Sequence, residues 1–216
     1  MIEKMRIRPG REFCPYKEGL DTAKGDNHQG GATMRVVGLN ASPNEDGLTA
    51  SVVKAVLEGA TEAGADTRLV HMKSLRLKMC QQCEDGWGLC RKEGRCVLED
   101  DFQSLREELH GADAIVISTP VYFGEVSEVA KGFLDRLRRC EAAGPGGSRL
   151  AGKLALGIAA AGGSGGGIVS CQQVLERYFQ HLGMRIFDLI PVTRMTREYK
   201  LETARAAGRA LAEAAS

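Results

Sequence analysis

Residues 36–51, VVGLNASPNEDGLTAS, lead from a short apolar run through a loop of small and polar residues into a helical pattern. The apolar run is typical of a buried strand, and the spacing of apolar residues after Thr49 predicts a helix. Ser42, Asn44 and Thr49 offer side-chain hydrogen bonds, and Gly47 lets the chain bend. Because the first N–H groups of a helix have no partners within it, such a loop can wrap an anion such as a phosphate. The alternative is an ordinary turn in which Thr49 caps the helix.

The alternation of strand and helix continues beyond this loop. We predict strands at residues 35–39, 66–70, 114–118, 153–160 and 184–190. Helices are predicted at residues 49–63, 100–110, 126–139 and 199–214, and a further helix is opened by the glycine-rich residues 162–167 and ends at residue 181. Helices of this length between strands imply crossover connections and a parallel sheet covered on both faces. The expected fold is a doubly wound α/β domain, whose ligands bind beyond the carboxyl ends of the strands.

The predicted domain spans residues 34–216, and residues 1–33 form a polar arm or tail without regular periodicity. This segment is either a disordered terminus or an arm that packs on its own or a neighbouring subunit.

Composition narrows the class of protein. The chain has 216 residues, 43% of them hydrophobic and 26% charged, with a net charge of +1. These values argue against disorder and against a nucleic-acid partner. No apolar run approaches the roughly 18 residues of a membrane span, and the first residues lack the apolar stretch of a signal peptide. We therefore expect a cytoplasmic protein that does not bind membranes.

Two further loops follow predicted strands at the same sheet edge. Residues 118–124, STPVYFG, place Tyr122 and Phe123 after the third strand, where they can form a platform for a flat ring unless they belong to the core. Residues 159–170, AAAGGSGGGIVS, follow the fourth strand and suggest close approach to a ligand or simple mobility. Together the three loops suit a mononucleotide with a large ring.

Other phosphate-binding patterns do not match. A dinucleotide fingerprint needs G-x-G-x-x-G after the first strand, where only Gly38 and Gly47 are nearby. Residues 147–153 partly resemble a P-loop but precede a strand, and Leu154 replaces the required hydroxyl residue.

GLNASPNEDGLTAS together with STPVYFGEVSEVAKGFLDR resembles the flavodoxin-like NAD(P)H-dependent FMN reductase family, over about residues 34–195. The resemblance implies a five-stranded sheet in the order 2-1-3-4-5 and FMN as cofactor. It assigns the FMN phosphate to the first loop and the isoalloxazine ring to the other two. The implied contacts are Ser42, Thr49 and Ala50 for the phosphate, Pro120, Val121, Tyr122, Phe123 and Gly124 for the ring, and Ala161, Gly162 and Gly163 beside the ring.

The first loop departs from the family pattern N-G-S-P-R-x-x-G-N-T. Asn44 stands where the family has Arg, and Leu48 where it has Asn, although both remain candidate FMN contacts. Since a charge-assisted bond to phosphate is stronger than a neutral one, we expect weaker FMN binding.

Four of the seven cysteines form the pattern C-x2-C-x6-C-x5-C, namely Cys80, Cys83, Cys90 and Cys96. Glycines between them allow the chain to turn around one ion or cluster. Resemblance to the iron–sulfur flavoproteins of the same family implies a [4Fe–4S] cluster that passes single electrons to FMN. Their usual spacing has two residues where this chain has six, including Trp87, so zinc and the absence of any metal remain alternatives.

The remaining candidate groups carry no pattern of their own. Cys14, Cys140 and Cys171 are isolated, and the four histidines have no ligand-like spacing. Asp100 and Asp101 are typical of a helix start.

The resulting hypothesis is an FMN-dependent oxidoreductase that takes hydride from NAD(P)H and passes electrons to a quinone, a flavin, a metal ion or a protein. No side chain is assigned as a catalytic acid or base. The alternative is an iron–sulfur electron carrier reduced by a partner such as ferredoxin, and a thiol-based redox sensor is a third possibility. The family resemblance also implies a homodimer or homotetramer.

Overall fold

The computed structural model describes residues 33–214, so the predicted arm lies outside the described residues except for its last residue. The strands are β1 (Arg35–Asn40), β2 (Asp66–His71), β3 (Ala114–Pro120), β4 (Leu154–Ala161) and β5 (Arg185–Thr193). The helices are α1 (Leu48–Glu62), α2 (Leu89–Lys92), α3 (Phe102–His110), α4 (Glu128–Ala142), α5 (Ile168–His181) and α6 (Arg197–Glu213), with a short 3-10 turn at Met72–Ser74.

The five strands form one parallel sheet in the order β2-β1-β3-β4-β5, which confirms the predicted doubly wound, flavodoxin-like topology. The order reverses between β1 and β3. Because the strands are parallel, the loops that follow β1, β3 and β4 leave the sheet at the same edge, where the strands have their carboxyl ends. These loops lie on both sides of the switch point. Ligands of open α/β sheets bind in this position.

Apolar side chains cover both faces of the sheet. On one face Phe133 of α4 and Phe179 of α5 pack against β3 and β4, and on the other Val53 of α1 and Leu211 of α6 do so. Full burial of such side chains contributes about 1.5–3 kcal/mol each. Both layers are needed because a parallel sheet has no face that tolerates water.

Most element boundaries differ from the predicted ones by one to three residues, and two of these differences have identifiable reasons. The helix predicted from residue 100 begins at Phe102, because the Asp100 side chain accepts a hydrogen bond from the Phe102 N–H at 3.2 Å and precedes the helix. The last strand continues past residue 190 to Thr193. It includes Pro191, which an edge strand tolerates because one side of its backbone needs no ladder bond.

None of the helices within residues 33–214 is long and apolar enough to cross a membrane.

Candidate functional site

A buried asparagine shapes the loop that follows β1. The Asn40 carboxamide is shielded from solvent, and its Oδ1 accepts a hydrogen bond from the Ser42 N–H at 3.1 Å. Its Nδ2 donates to the Asn44 carbonyl at 3.2 Å and lies 2.9 Å from Nδ1 of His71. One side chain thus ties both ends of the turn 42–44 to the neighbouring strand β2, which holds the loop in place.

Two serines tie the first loop to the third strand and the loop after it. The Ser118 hydroxyl donates to the Thr49 carbonyl at 2.9 Å, and the Ser127 hydroxyl donates to the Ala41 carbonyl at 2.8 Å. The Ser127 N–H donates in turn to the Thr119 hydroxyl at 2.9 Å. All of these groups are buried, so the loops after β1 and β3 form one connected unit.

The N-terminus of α1 is open to an anion. The helix is preceded by Gly47, and no side chain caps it. Thr49 is the second residue of the helix and is buried, so the alternative in which Thr49 caps the helix is wrong. The first N–H groups of a helix have no intrahelical acceptors and lie at the positive end of the helix dipole. These donors, together with the Ser42 and Thr49 hydroxyls, fit a phosphate group.

Cations near this helix start come from other parts of the chain. Glu45 and Asp46 are exposed in the loop, and their charges oppose an anion. Lys54 donates to the Glu45 carbonyl at 2.9 Å, and Arg197 at the start of α6 donates to the Ser51 hydroxyl at 3.3 Å. Both cations therefore lie beside the first turn of α1, although the loop itself lacks the family's arginine.

The aromatic residues after β3 form an exposed two-residue turn. Tyr122 and Glu125 exchange two backbone hydrogen bonds at 3.0 Å, and the residues between them have positive φ angles of 51° at Phe123 and 84° at Gly124. A left-handed conformation is strained for a bulky residue such as Phe, and strain of this kind clusters at binding sites. Both aromatic side chains are exposed, so the alternative that places them in the core is wrong.

The glycine-rich loop after β4 packs directly on this turn. Gly167 has φ of 80°, and a Cβ atom on it would lie 2.6 Å from the Gly124 Cα. Glycine at position 167 is therefore required both by the backbone conformation and by the close approach of the two loops. Gly162 and Gly163 are exposed, and no atom lies within 4 Å of a Cβ built on Gly163.

All predicted FMN contacts lie at this sheet edge, on the three loops and the chain ends that flank them. They are Ser42, Asn44, Leu48, Thr49 and Ala50 after β1, Pro120, Val121, Tyr122, Phe123 and Gly124 at the end of β3, and Ala161, Gly162 and Gly163 at the end of β4. The geometry combines anion donors, an exposed aromatic turn and a glycine surface without side chains. This combination fits FMN.

The four clustered cysteines lie at a second site. Cys80, Cys83, Cys90 and Cys96 line one cavity and are half-buried free thiols. Within residues 33–214 no three His, Cys, Asp or Glu side chains converge closely enough to hold a single metal ion. An iron–sulfur cluster instead places its thiolates on different irons around a larger group. The four cysteines supply the type of ligand, thiolate, that such a cluster requires.

Cys140, which shows no pattern in the sequence, lines the same cavity from α4. Burial raises the pKa of its thiol to about 12, so Cys140 stays protonated at neutral pH. Cys171, on the buried face of α5, has its pKa likewise raised by burial to about 12. Neither thiol therefore forms a reactive thiolate at neutral pH.

Three arginines on α3 and α4 hold the backbone of residues 78–100, here called the cysteine segment. Arg136 donates to the Lys78 carbonyl at 2.9 Å, Arg106 donates to the Gly94 carbonyl at 2.6 Å, and Arg139 donates to the Gly86 carbonyl. The guanidinium carbon of Arg139 also lies 4.6 Å from the centre of the Trp87 ring. The segment is thus fixed along its length by side chains of the main domain.

The two ends of the cysteine segment meet at a buried ion pair. Arg136 forms two bonds to Asp100, at 2.6 and 2.8 Å, and Asp100 also accepts from the Lys78 N–H at 2.8 Å. Burial alone would raise the pKa of Asp100. The hydrogen bonds from Arg136, Lys78 and Phe102 outweigh burial and hold this pKa below its usual range. Asp100 therefore joins the two ends of the cysteine segment in addition to preceding helix α3.

Sequence reasoning missed several residues that organise these sites. Asn40, Ser118 and Ser127 cross-link the loops, and Arg136 and Arg139 line the cysteine cavity. The signal available for the arginines was RLRRC at residues 136–140, a cationic run inside a predicted helix.

Comparison with known proteins relates the chain to flavoproteins. The family described as NADPH-dependent FMN reductase matches residues 34–190. An iron–sulfur flavoprotein of Methanocaldococcus jannaschii is 28% identical over 193 residues, which is 83% of this chain and 96% of that protein. A second iron–sulfur flavoprotein of the same organism is 31% identical over 159 residues, 74% of this chain and 75% of that protein.

A solved structure has a similar fold over most of its length. The NAD(P)H:quinone oxidoreductase from Methanothermobacter marburgensis superposes with a TM-score of 0.69 and 25% identity, covering 83% of this chain and 96% of that chain.

Proposed function

Because this chain belongs to the NADPH-dependent FMN reductase family, we propose that it binds FMN at its three loops and passes electrons from NAD(P)H to an acceptor. Family membership makes it a flavoprotein of the oxidoreductase type. The observation that carries the proposal is the uncapped start of α1 beside the exposed aromatic turn at Tyr122 and Phe123, cross-linked through Ser118 and Ser127. A phosphate donor set and a ring platform on one rigid unit are what FMN requires.

The loops divide the work of binding. The first turn of α1 and the Ser42 hydroxyl bind the phosphate, since N–H groups at a helix start favour an anion. Tyr122 and Phe123 contact the ring, and Gly163 leaves room beside it because no side chain projects there. FMN, when bound, supplies the hydride and single-electron chemistry. The protein positions the reactants, and no side chain is needed as acid or base.

In the net reaction NAD(P)H loses a hydride and becomes NAD(P)⁺. A quinone takes up the two electrons and the proton of that hydride together with a second proton from water. Quinone is the acceptor chosen for the test because the similar Methanothermobacter marburgensis structure bears the name NAD(P)H:quinone oxidoreductase.

The test combines FMN titration with anaerobic reduction of the full chain. We expect FMN fluorescence to be quenched on binding, and NADH or NADPH to bleach the flavin absorbance, which a soluble quinone then restores. Asn44→Asp places a negative charge in the exposed loop and should weaken FMN binding, whereas Gln173→Glu, on exposed α5 surface, should leave it unchanged. A wild-type chain that takes up no added FMN contradicts the proposal.

A second candidate function is that of an iron–sulfur electron carrier, favoured by the four cysteines around one cavity. In this alternative a cluster held by Cys80, Cys83, Cys90 and Cys96 receives single electrons from a protein such as ferredoxin. Anaerobic purification with iron and sulfide analysis tests it, because about four irons per chain should be found in the wild type and lost in Cys83→Ala. Flavin bleaching by reduced ferredoxin but not by NAD(P)H would favour the carrier. The cytoplasm, which keeps thiols reduced, is the compartment that either function implies.

We also propose that two or four copies of the chain assemble at the FMN edge of the sheet. Phe123, Val169 and Met195 are exposed there, on the loops after β3 and β5 and in the first turn of α5. Exposed apolar side chains concentrated at one edge are typical of an interface. Phe123→Glu should lower the mass measured by sedimentation, and Val97→Glu, an exposed residue in the cysteine segment, should not. A wild-type monomer would overturn this assembly.

A further inference from the structure

One donor of the buried Arg136 side chain has no acceptor. The two terminal nitrogens of its guanidinium bond Asp100 and the Lys78 carbonyl, but its Nε is buried and lacks a hydrogen-bond partner within residues 33–214. The Arg136 side chain is only 1% exposed, so bulk solvent does not reach it. A buried N–H of a charged group that lacks an acceptor destabilises the fold, so its presence needs an explanation.

The cavity next to Arg136 is lined by sulfur. Arg136 and the four clustered cysteines line the same cavity, together with the neutral thiol of Cys140. Cys96 lines this cavity beside Arg136, although no bond of standard geometry satisfies Nε.

We propose that Arg136 is a positioning residue for an iron–sulfur cluster on the four cysteines, and that its Nε–H donates to a sulfur of the cluster or of Cys96. This inference rests on the cluster of the second candidate function. Hydrogen bonds to the sulfurs stabilise the state that carries one more electron, and so raise the reduction potential of a cluster. Asp100 holds the guanidinium plane at the cavity wall through two bonds, which directs the remaining donor.

The competing explanation is that Arg136 only closes the cysteine segment by binding Asp100 and Lys78. The two explanations differ in what Arg136→Lys should do. Lysine keeps the charge and can reach Asp100, but it has no Nε–H in a planar fork. If Arg136 only closes the cysteine segment, Arg136→Lys leaves the reduction potential of the cluster unaltered. If the Nε–H donates a hydrogen bond to a sulfur, the reduction potential becomes more negative in this variant.

The experiment measures iron, sulfide and midpoint potential in the anaerobically reconstituted full chain. The variants are Arg136→Lys, the pair Asp100→Asn with Arg136→Gln, and the control Arg138→Gln, which lies on the same helix, pairs with Asp135 and is outside the cavity lining. The paired variant leaves no buried charge without a partner, so it keeps the comparison available if Arg136→Lys does not fold. Circular dichroism and FMN binding establish that each variant is folded.

We expect a more negative cluster potential in Arg136→Lys and in the paired variant, and the wild-type potential in Arg138→Gln. A wild-type potential in folded, cluster-loaded Arg136 variants overturns the inference alone. A wild-type chain that takes up neither iron nor sulfide overturns the cluster and the inference together, while FMN binding and reduction by NAD(P)H would be unaffected.

Discussion

Arginine side chains near the two sites differ in how strongly their charges act. Arg136 and Arg106 are buried and paired with Asp100 and Glu141, so each charge is shielded from water and salt. Arg197 is exposed, and its charge near the start of α1 is screened by solvent. Loss of a buried partner is therefore expected to affect folding, whereas loss of Arg197 should affect only ligand affinity.

Arg197→Ala should weaken FMN binding about 2–5-fold at low ionic strength, which corresponds to the roughly 0.5–1 kcal/mol of an exposed charge interaction. The cause is loss of the cation that donates to Ser51 in the first turn of α1. The difference should shrink in high salt because exposed charges are screened. Fluorescence titration measures the affinity for FMN. The control is Arg209→Ala, which lies on the same helix as Arg197 and breaks a surface pair with Glu62 of α1.

Glu141→Gln should destabilise the protein by about 3–5 kcal/mol at neutral pH, because it removes one partner of a buried ion pair. Glu141 is fully buried; its Oε1 lies 2.6 Å from Arg106 Nε and 2.6 Å from His110 Nε2. Burial raises the pKa of Glu141, but the bonds from His110 and Arg106 outweigh burial and hold it below its usual range.

A carboxyl whose pKa is depressed by folding stabilises the protein above its unfolded pKa of about 4.3, and this stabilisation is lost as the pH falls through the folded pKa. The difference in free energy of unfolding between wild type and Glu141→Gln should therefore be largest above about pH 5 and narrow below about pH 4. Urea unfolding at a series of pH values measures it. A difference that stays constant down to pH 3 would show that the carboxylate charge contributes nothing.

At the scale of elements, α1 and α6 are in unusually close contact. A Cβ atom on Gly59 would lie 1.9 Å from the Arg205 carbonyl oxygen, and one on Gly208 would lie 1.9 Å from the Val56 carbonyl oxygen. Each helix thus presents a glycine to the backbone of the other. This crossing covers one face of the sheet and fixes α6, from which Arg197 reaches the first loop.

Gly208→Ala should destabilise the protein by about 3 kcal/mol, at the upper end of the usual cost of overpacking, because the obstacle is backbone and cannot rotate away. Gly132→Ala is the matched control in α4. Its Cβ would meet the sulfur of Met79 at 2.7 Å, and this side chain is flexible and exposed. Denaturant unfolding should place Gly132→Ala within about 1 kcal/mol of wild type, since alanine also favours the helix. Equal effects of the two changes would contradict this account.

The elements and the first site were largely predictable because their signals are local. The loop after β1 and the turn at Tyr122 and Phe123 each follow a strand directly, so a short motif indicates both their position and their chemistry. The bonds that join them are not local, since Ser118 and Thr49 are 69 residues apart and Ser127 and Ala41 are 86. Short sequence motifs do not predict hydrogen bonds between residues that lie so far apart in the chain.

The same reason explains why the second site was only partly predictable. The spacing of the cysteines suggested a common centre, but not the arginines around it. Arg136 bonds to a carbonyl 58 residues away, and its role depends on how α4 packs against the cysteine segment. A cationic run such as residues 136–140 usually indicates a solvated helix face, and only tertiary packing shows that Arg136 points inward.

At the scale of the whole molecule, the two sites of the domain are attached to the fold in different ways. The FMN loops are direct extensions of central strands and share their rigidity. The cysteine segment has only one short helix, α2, and is joined to the domain by the three arginine contacts to its carbonyls, by the Asp100 pair and by the half-buried Cys90 and Cys96, which pack against one core. The main fold should therefore not depend on what the cysteines bind.

Replacing all four clustered cysteines by serine should leave a folded domain that binds FMN with wild-type affinity. This expectation opposes the behaviour of small metal domains, which are unfolded without their metal. None of the four cysteines is a buried member of either core, since Cys90 and Cys96 only pack half-buried against one of them. The arginine contacts use backbone carbonyls that serine does not alter. Cooperative urea unfolding and FMN titration measure the outcome, and Cys171→Ser, a single change in the core, should cost about 1–3 kcal/mol. If the fourfold variant loses cooperative unfolding while Cys171→Ser keeps it, the cysteine site is a requirement of the fold and the two sites are not independent.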